Sequence, residues 1–213
     1  RLICFILSCS FAGASLAAEA ATTVAPQAPE TVTTPLTEPT PLSALCKTRL
    51  SSLIGPFDKT QIEPLCAEVK TLDTCKSFKG EPIFHYEKVG TGTPNSSHPA
   101  PKKVLVFSLI HGDEFGAGSV ARAWMFRLRT IDPRNTWRMI PLVNPDGLTL
   151  KTRTNARKVD LNRNFPSNDW EENALAYWKK DQKSDPRRYP GPSASSEPET
   201  QCLIKHIEEF KPE

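Results

Sequence analysis

Residues 104–147 limit what this chain can fold into more than any other stretch. "VLVFSLI" (104–110) is a run of apolar and small residues with β-branched and aromatic members, as in a strand covered on both faces. "GAGSVARAWMFRLR" (116–129) changes the period: Ala117, Val120, Ala121, Trp124 and Leu128 recur at helical spacing, while Arg122, Arg127 and Arg129 fall largely off that stripe. "TWRMIPLVNPDG" (136–147) reads as a second strand ending in an Asn-Pro-Asp-Gly turn. Strand, crossover helix and strand form a parallel unit, so the expected fold class is α/β, a mixed and largely parallel sheet flanked by helices. Ligands of such sheets collect beyond the carboxyl ends of the strands. His111 and Glu114 stand there, where the apolar run stops.

An imidazole and a carboxylate at i and i+3 on a turn can point at one ion, as a nitrogen and an oxygen donor of the kind catalytic zinc takes. Alone, such a pair is more readily a structural hydrogen bond. Its downstream company changes the balance: "NPDG" at 144–147, "TRTNARKVDLNRNFP" at 152–166 and "SEPET" at 196–200.

Taken in order, these motifs resemble the zinc carboxypeptidase family, the carboxypeptidase A-like enzymes, and within it the bacterial murein peptide amidases. The resemblance runs from about residue 103 to the end and implies one zinc ion with His111 and Glu114 among its ligands. It places Arg153 beside the scissile carbonyl as the catalytic arginine, Asn162 and Arg163 on the free carboxylate of the substrate, and Asp160 behind His111 as its orienting partner. The chemistry suits the roles. A guanidinium fork matches a carboxylate in two bonds and selects a chain end over an internal peptide, whereas Arg153 would stabilise a developing oxyanion. Arg157, in the same basic loop, is the rival for that second role. The implied activity is hydrolysis of the amide bond before a residue with a free carboxylate, in cell-wall peptides. The family's second zinc histidine, its general-base Glu and a substrate-binding Tyr are expected beyond residue 213, so the fold and site are expected to be incomplete at the C-terminus.

The remaining sequence bounds compartment and organisation. "LICFILSCSFAGASLAAEA" after Arg1 has the pattern of a secretory signal peptide (1–20) cleaved after Ala17 or Ala20, with an uncleaved anchor or lipidation at Cys9 as the alternatives. Localisation is therefore expected to be exported, periplasmic or secreted, with no stable membrane span once the leader is removed. The start at Arg1 rather than Met points to a fragment. Many of the 20 prolines fall in a Thr/Pro/Ala linker (21–41) that cannot bury a core. A small Cys-containing segment (42–79) precedes the carboxypeptidase-like domain (80–213), and "EPIFHYEKVG" at its start alternates like an edge strand. Of six cysteines, Cys4 and Cys9 belong to the leader, leaving Cys46, Cys66, Cys75 and Cys202. Four permit three disulfide pairings. Cys46 with Cys66, flanking a short helix-like stretch, is preferred. His85 and His98 are expected away from metal, Ser196 as a helix cap, and His206 on a helix surface.

A net charge of +3 with scattered basic residues gives no nucleic-acid surface. The expected partner is a peptide or murein peptide, met by a monomer. Two other readings stay open: a zinc deacylase of the aspartoacylase or succinylglutamate desuccinylase type, against which the leader and "NPDG" argue, and a non-catalytic carboxylate-binding relative.

Overall fold

The computed structural model describes residues 40–94 and 100–213. The expected leader, nearly all of the linker, Cys4, Cys9 and His98 lie outside the described residues. Helix α1 (Leu42–Ser52) and the short α2 (Ile62–Cys66) lead into strands β1 (Lys70–Lys76) and β2 (Pro82–Lys88). Strand β3 (Lys103–Phe107), helix α3 (Phe115–Arg129) and strand β4 (Thr136–Ile140) follow as the expected strand–helix–strand unit. Helices α4 (Pro145–Leu150), α5 (Trp170–Lys180) and α6 (Pro198–Phe210) complete the described chain. Among the described residues no helix is long and apolar enough to cross a membrane.

The four strands form one mixed sheet in the order β1-β2-β4-β3. β3 and β4 pair in parallel, in register from Lys103 opposite Thr136 to Phe107 opposite Ile140. β2 pairs antiparallel with both β4 and β1, so parallel pairing is confined, among the described strands, to β3 and β4.

Two apolar layers sandwich this sheet because successive strand residues point to opposite faces. Phe84, Tyr86 and Met139 join Leu50, Leu65, Met125 and Leu128 from α1, α2 and α3 in one cluster. Ile83 and Ile140 turn to the other face and join Cys75, Cys202 and Leu203. Residues 42–79 thus supply both core and sheet. The edge-strand expectation for β2 is overturned: it lies between β1 and β4, and Ile83, Phe84, His85 and Tyr86 are all buried. Its alternation is hidden because helices cover both sides. β3, expected to be covered on both faces, lies at the end of the described sheet and is only half buried.

Cys46 bonds to Cys66, the preferred pairing, and Cys75 bonds to Cys202 across 127 residues. The first closes α1 on α2; the second ties β1 to α6.

The buried stripe of α3 differs from the sequence reading. Gly118, Ala121, Arg122, Met125, Phe126 and Leu128 face inward, whereas Val120 and Trp124 are exposed. The reason is Arg122, whose guanidinium turns the helix toward the end of α1. It donates to the carbonyls of Leu50 (2.8 Å), Leu53 (3.1 Å), Ile54 (3.0 Å) and Gly55 (3.2 Å) and stacks 4.0 Å from the Phe57 ring centroid. These carbonyls lie at or just beyond the C-terminal end of α1, where the helix leaves its last acceptors unpaired, and Ile54 O also accepts from Ser119 Oγ at 2.6 Å. Arg122→Ala is expected to lower stability by roughly 3 kcal/mol or more, since several buried acceptors lose their donor. Urea unfolding checks this, with Arg122→Lys recovering little because an ammonium cannot span the same fork.

Candidate metal centre

β3 and β4 leave the sheet side by side and remain joined beyond it. Ser108 N–H donates to Ile140 O (2.9 Å), Val143 N–H to Ser108 O (3.0 Å) and Asn144 N–H to Leu109 O (3.0 Å). "NPDG" does not close a turn; it opens α4, with Asn144 as N-cap accepting from Gly147 N–H at 2.8 Å and Pro145 in the first turn. The same Asn144 side chain donates to Ile110 O at 3.2 Å, fixing the chain one residue before His111. At Gly112 the turn rests directly on α4: a Cβ there would stand 2.0 Å from the Gly147 carbonyl carbon. Only glycine permits that approach.

His111 is thereby held at the carboxyl edge of the parallel pair. Its Nε2 lies 2.9 Å from Asp160 Oδ1 and its Nδ1 lies 2.9 Å from Glu114 Oε1. Glu114 is the N-cap residue of α3 and its carboxylate is half exposed. Asp160 is fully buried and heads a 3-10 turn (Leu161–Arg163), where Oδ1 also accepts from Asn162 N–H at 3.1 Å. Its other oxygen accepts from Arg153 Nε at 3.1 Å, and Arg153 Nη1 lies 3.8 Å from Glu114 Oε1. Four of the six residues singled out in the sequence, His111, Glu114, Arg153 and Asp160, meet at one point.

Asn162 and Arg163 sit on the 3-10 turn just after Asp160 with exposed side chains, Arg163 Nη1 donating to the Asn162 carbonyl at 3.2 Å. Arg157, the rival to Arg153, points elsewhere, 3.9 Å from Glu197 and over the Phe78 ring. A cleft of about 360 Å³ opens beside Arg153, lined also by Asp113, Lys151, Lys158 and Arg187. A larger cavity, about 540 Å³, runs along α5 past Trp170, Asn173 and Tyr177 and touches none of the six.

Electrostatics tell the same story. Burial alone would raise the Asp160 carboxyl, but the hydrogen bond from His111 and the charge of Arg153 outweigh it and hold the group below its ordinary value. Burial would likewise lower His111, yet its bonds to Asp160 and Glu114 prevail and raise it. With its hydrogen on Nε2, donated to Asp160, the His111 ring would turn the Nδ1 lone pair toward Glu114 Oε1, the arrangement in which both atoms can serve as ligands of one divalent cation. An imidazole nitrogen and a carboxylate oxygen are donor types that a divalent cation such as zinc accepts. Among the described residues no third His, Cys, Asp or Glu side chain joins them.

The long loop 152–166 owes its shape to two buried asparagines that the sequence reading passed over. Asn155 accepts from Arg157 and Val159 N–H and donates to Glu197 (2.7 Å) and Glu199 (3.1 Å). Asn164 donates to Pro190 O, Ser193 O and Ser196 Oγ and accepts from Glu197 N–H. Short amides in a loop with little apolar content were the available signal. Ser196, expected to cap α6, is one residue too early: Glu197 is the N-cap residue, and Ser196 Oγ bonds its carboxylate.

The zinc carboxypeptidase profile matches residues 63–212, which contain all six residues. This chain belongs to the zinc carboxypeptidase family. This family member is 36% identical over 135 residues to murein peptide amidase A of Escherichia coli K12, covering 60% of the chain and 54% of the relative. To murein peptide amidase A of Vibrio campbellii it is 34% identical over 134 residues, covering 60% and 53%. The chain spans about half the length of the curated relatives it matches. Among solved structures it is similar to carboxypeptidase A from Helicoverpa armigera, with a TM-score of 0.53 and 22% identity over 79% of this chain and 48% of that one. Bovine thrombin-activatable fibrinolysis inhibitor, in complex with tick carboxypeptidase inhibitor, gives 0.51 and 18% over 71% and 52%. Both likenesses concern the fold: a mixed sheet flanked by helices.

Proposed function

We propose that the intact gene product is a zinc-dependent amidase or carboxypeptidase that hydrolyses the bond before a residue with a free carboxylate, and that its substrates are murein peptides. One observation carries this reading: His111 presents Nδ1 toward Glu114 while a buried Asp160 holds Nε2, with Arg153 alongside, in a chain of this family. The murein substrate rests on the similarity to the murein peptide amidases, and export through the expected leader would bring the protein to that substrate.

His111 and Glu114 would hold one zinc ion, which when bound supplies Lewis-acid polarisation of the scissile carbonyl. Asp160 fixes the His111 tautomer and ring orientation. Arg153 stands within reach of the same point, so a carbonyl oxygen acquiring negative charge there meets a guanidinium already oriented by Asp160. Asn162 and Arg163, exposed on the next turn, can offer a neutral donor and a fork to a terminal carboxylate.

The test is zinc stoichiometry together with peptide release by the intact gene product, on a γ-D-glutamyl-diaminopimelate tripeptide beside ordinary C-terminal peptides. Release should require metal and favour the tripeptide. Arg163→Ala is expected to raise KM for free-acid peptides by roughly tenfold or more, as for loss of a charge-assisted bidentate pair, and to leave amidated peptides little changed. Equal losses on both would remove the clamp from the reading.

A further inference from the structure

The face of the sheet opposite α3 holds a polar cluster that the site at His111 does not use. Cys202 and His206, four residues apart on α6, share one side of that helix and face the sheet. Cys75 reaches them from β1 through its bond to Cys202. His85, from β2, meets His206 edge-on, with ring centroids 4.9 Å apart and planes at 80°. His206, expected on the surface, is completely buried, and His85 is 2% exposed.

Arg138 is the nearby charge, yet these imidazoles lack hydrogen-bond partners. Neither nitrogen of His206 has a hydrogen-bond partner, nor does His85 Nδ1. The apolar cluster on this face joins Ile83, Ile140, Val143, Leu161 and Leu203 to the two cysteines. A buried donor or acceptor left unmatched costs on the order of 1–3 kcal/mol, so a hydrocarbon side chain would serve packing better. A lone pair aimed at nothing inside a core points to a missing acceptor of that lone pair. The sulfur atoms of Cys75 and Cys202 and a ring nitrogen of His206 all lie within 4.8 Å of one another.

We propose that Cys75, Cys202 and His206 are the ligands of a metal site, separate from His111 and Glu114, that takes a thiophilic divalent cation such as Zn²⁺ once the Cys75–Cys202 disulfide is reduced. In the oxidised protein the sulfurs are spent on each other and only the imidazole is available. A two-electron reductant such as a water-soluble phosphine breaks the S–S bond. It leaves as the phosphine oxide with the oxygen of one water, whose two protons go to the sulfurs. Binding M²⁺ then releases both protons, and two thiolates with one neutral imidazole surround the cation.

Donor chemistry favours this choice of metal, since two thiolates and an imidazole suit zinc and reject calcium or magnesium. Charge favours it as well: the two thiolate charges balance the cation, so the loaded cluster is neutral inside the core. Arg138, the nearby guanidinium on β4, is ion-paired with Glu87 at 2.6 Å and covered by the Phe210 ring. The consequence is structural. β1 and α6 stay fastened in both redox states, by a covalent bond when oxidised and by coordination when reduced.

The experiment titrates Co²⁺, then Zn²⁺ in competition, into the intact gene product, oxidised and phosphine-reduced under argon, with near-ultraviolet circular dichroism on every sample. The expected result is a thiolate-to-cobalt absorption band in the reduced, folded protein, saturating at one metal and absent from the oxidised protein. Nitrogen and oxygen donors at His111 and Glu114 give no such band, so a failure there and a failure here are separable. His206→Gln should abolish the band, and His206→Cys should restore binding with a stronger one. The proposal is overturned if the reduced folded protein gives no band, if the band survives unchanged in His206→Gln, or if it appears only when the native dichroism is lost.

Discussion

Asp160→Ala is expected to lower zinc affinity at the His111 centre by roughly 10–100-fold and to cost about 3–5 kcal/mol of stability. Both losses come from one geometry. The carboxylate is wholly buried and its two oxygens face His111 Nε2 at 2.9 Å and Arg153 Nε at 3.1 Å. Without it, nothing keeps the hydrogen on Nε2, so the tautomer that exposes Nδ1 toward Glu114 is no longer enforced. Arg153 also loses the partner that aims it and keeps a largely enclosed charge. Asp160→Asn separates the two effects. Its amide fills the same space, so the packing loss should be small, but it cannot present an oxygen to both partners and must turn its NH₂ toward one of them. Zinc affinity and peptide release should therefore fall nearly as far as in Asp160→Ala while the unfolding midpoint moves much less. Isothermal titration with Zn²⁺ beside thermal unfolding makes the comparison. Unchanged affinity in both variants would remove Asp160 from the centre.

The second large effect is loss of stability in acid. Burial holds His85 down to about pKa 4, helped by the charges of Arg138 and Lys70. Burial likewise holds His206 down to about 3, with His85, Arg138 and Lys205 acting in the same sense and Glu87 opposing. In the unfolded chain both titrate near 6.5. Below that pH the unfolded chain binds protons that the folded protein refuses. Stability is thus complete above about pH 6.5 and declines as pH falls toward 4, by roughly 3 kcal/mol or more for each imidazole. His111 acts in the opposite direction, because its raised value adds stability at low pH that is lost as pH rises. The variant His206→Leu isolates the contribution of His206. Unfolding free energy measured in urea from pH 7.5 to 4.5 should fall less steeply by up to about 1.4 kcal/mol per pH unit. Near pH 7 the variant should be no less stable, since two unmatched nitrogens are removed. An identical slope in both proteins would show that His206 does not govern the acid limb.

How much was legible beforehand depended on the range of the interaction. The parallel β3–α3–β4 unit was readable because strand and helix periods are local properties of "VLVFSLI" and of the stretch that follows. The position of His111 and Glu114 at its carboxyl edge came with it. Their convergence with Arg153 and Asp160 was approached through ordered motifs. Arg122 reads in sequence as lying largely off the apolar stripe of α3 because its four acceptors lie about 70 residues earlier, at the end of α1, and no window along the chain contains them. β2 was misread as an edge strand for the same reason: what decides its place is the pairing with β4, some 50 residues on.

The sequence by itself determined the alternation of strands and helices, the junction where a metal pair can form and the family to which the motifs belong. All three depend on periodicity and on residue types at short spacing. The tertiary structure alone decided that Arg153 rather than Arg157 stands with Asp160, that Cys75 pairs with Cys202, and that His85 and His206 meet edge-on in the core. Burial, desolvation and the meeting of distant side chains are properties of packed surfaces, and these arise only once α6 has closed on the sheet.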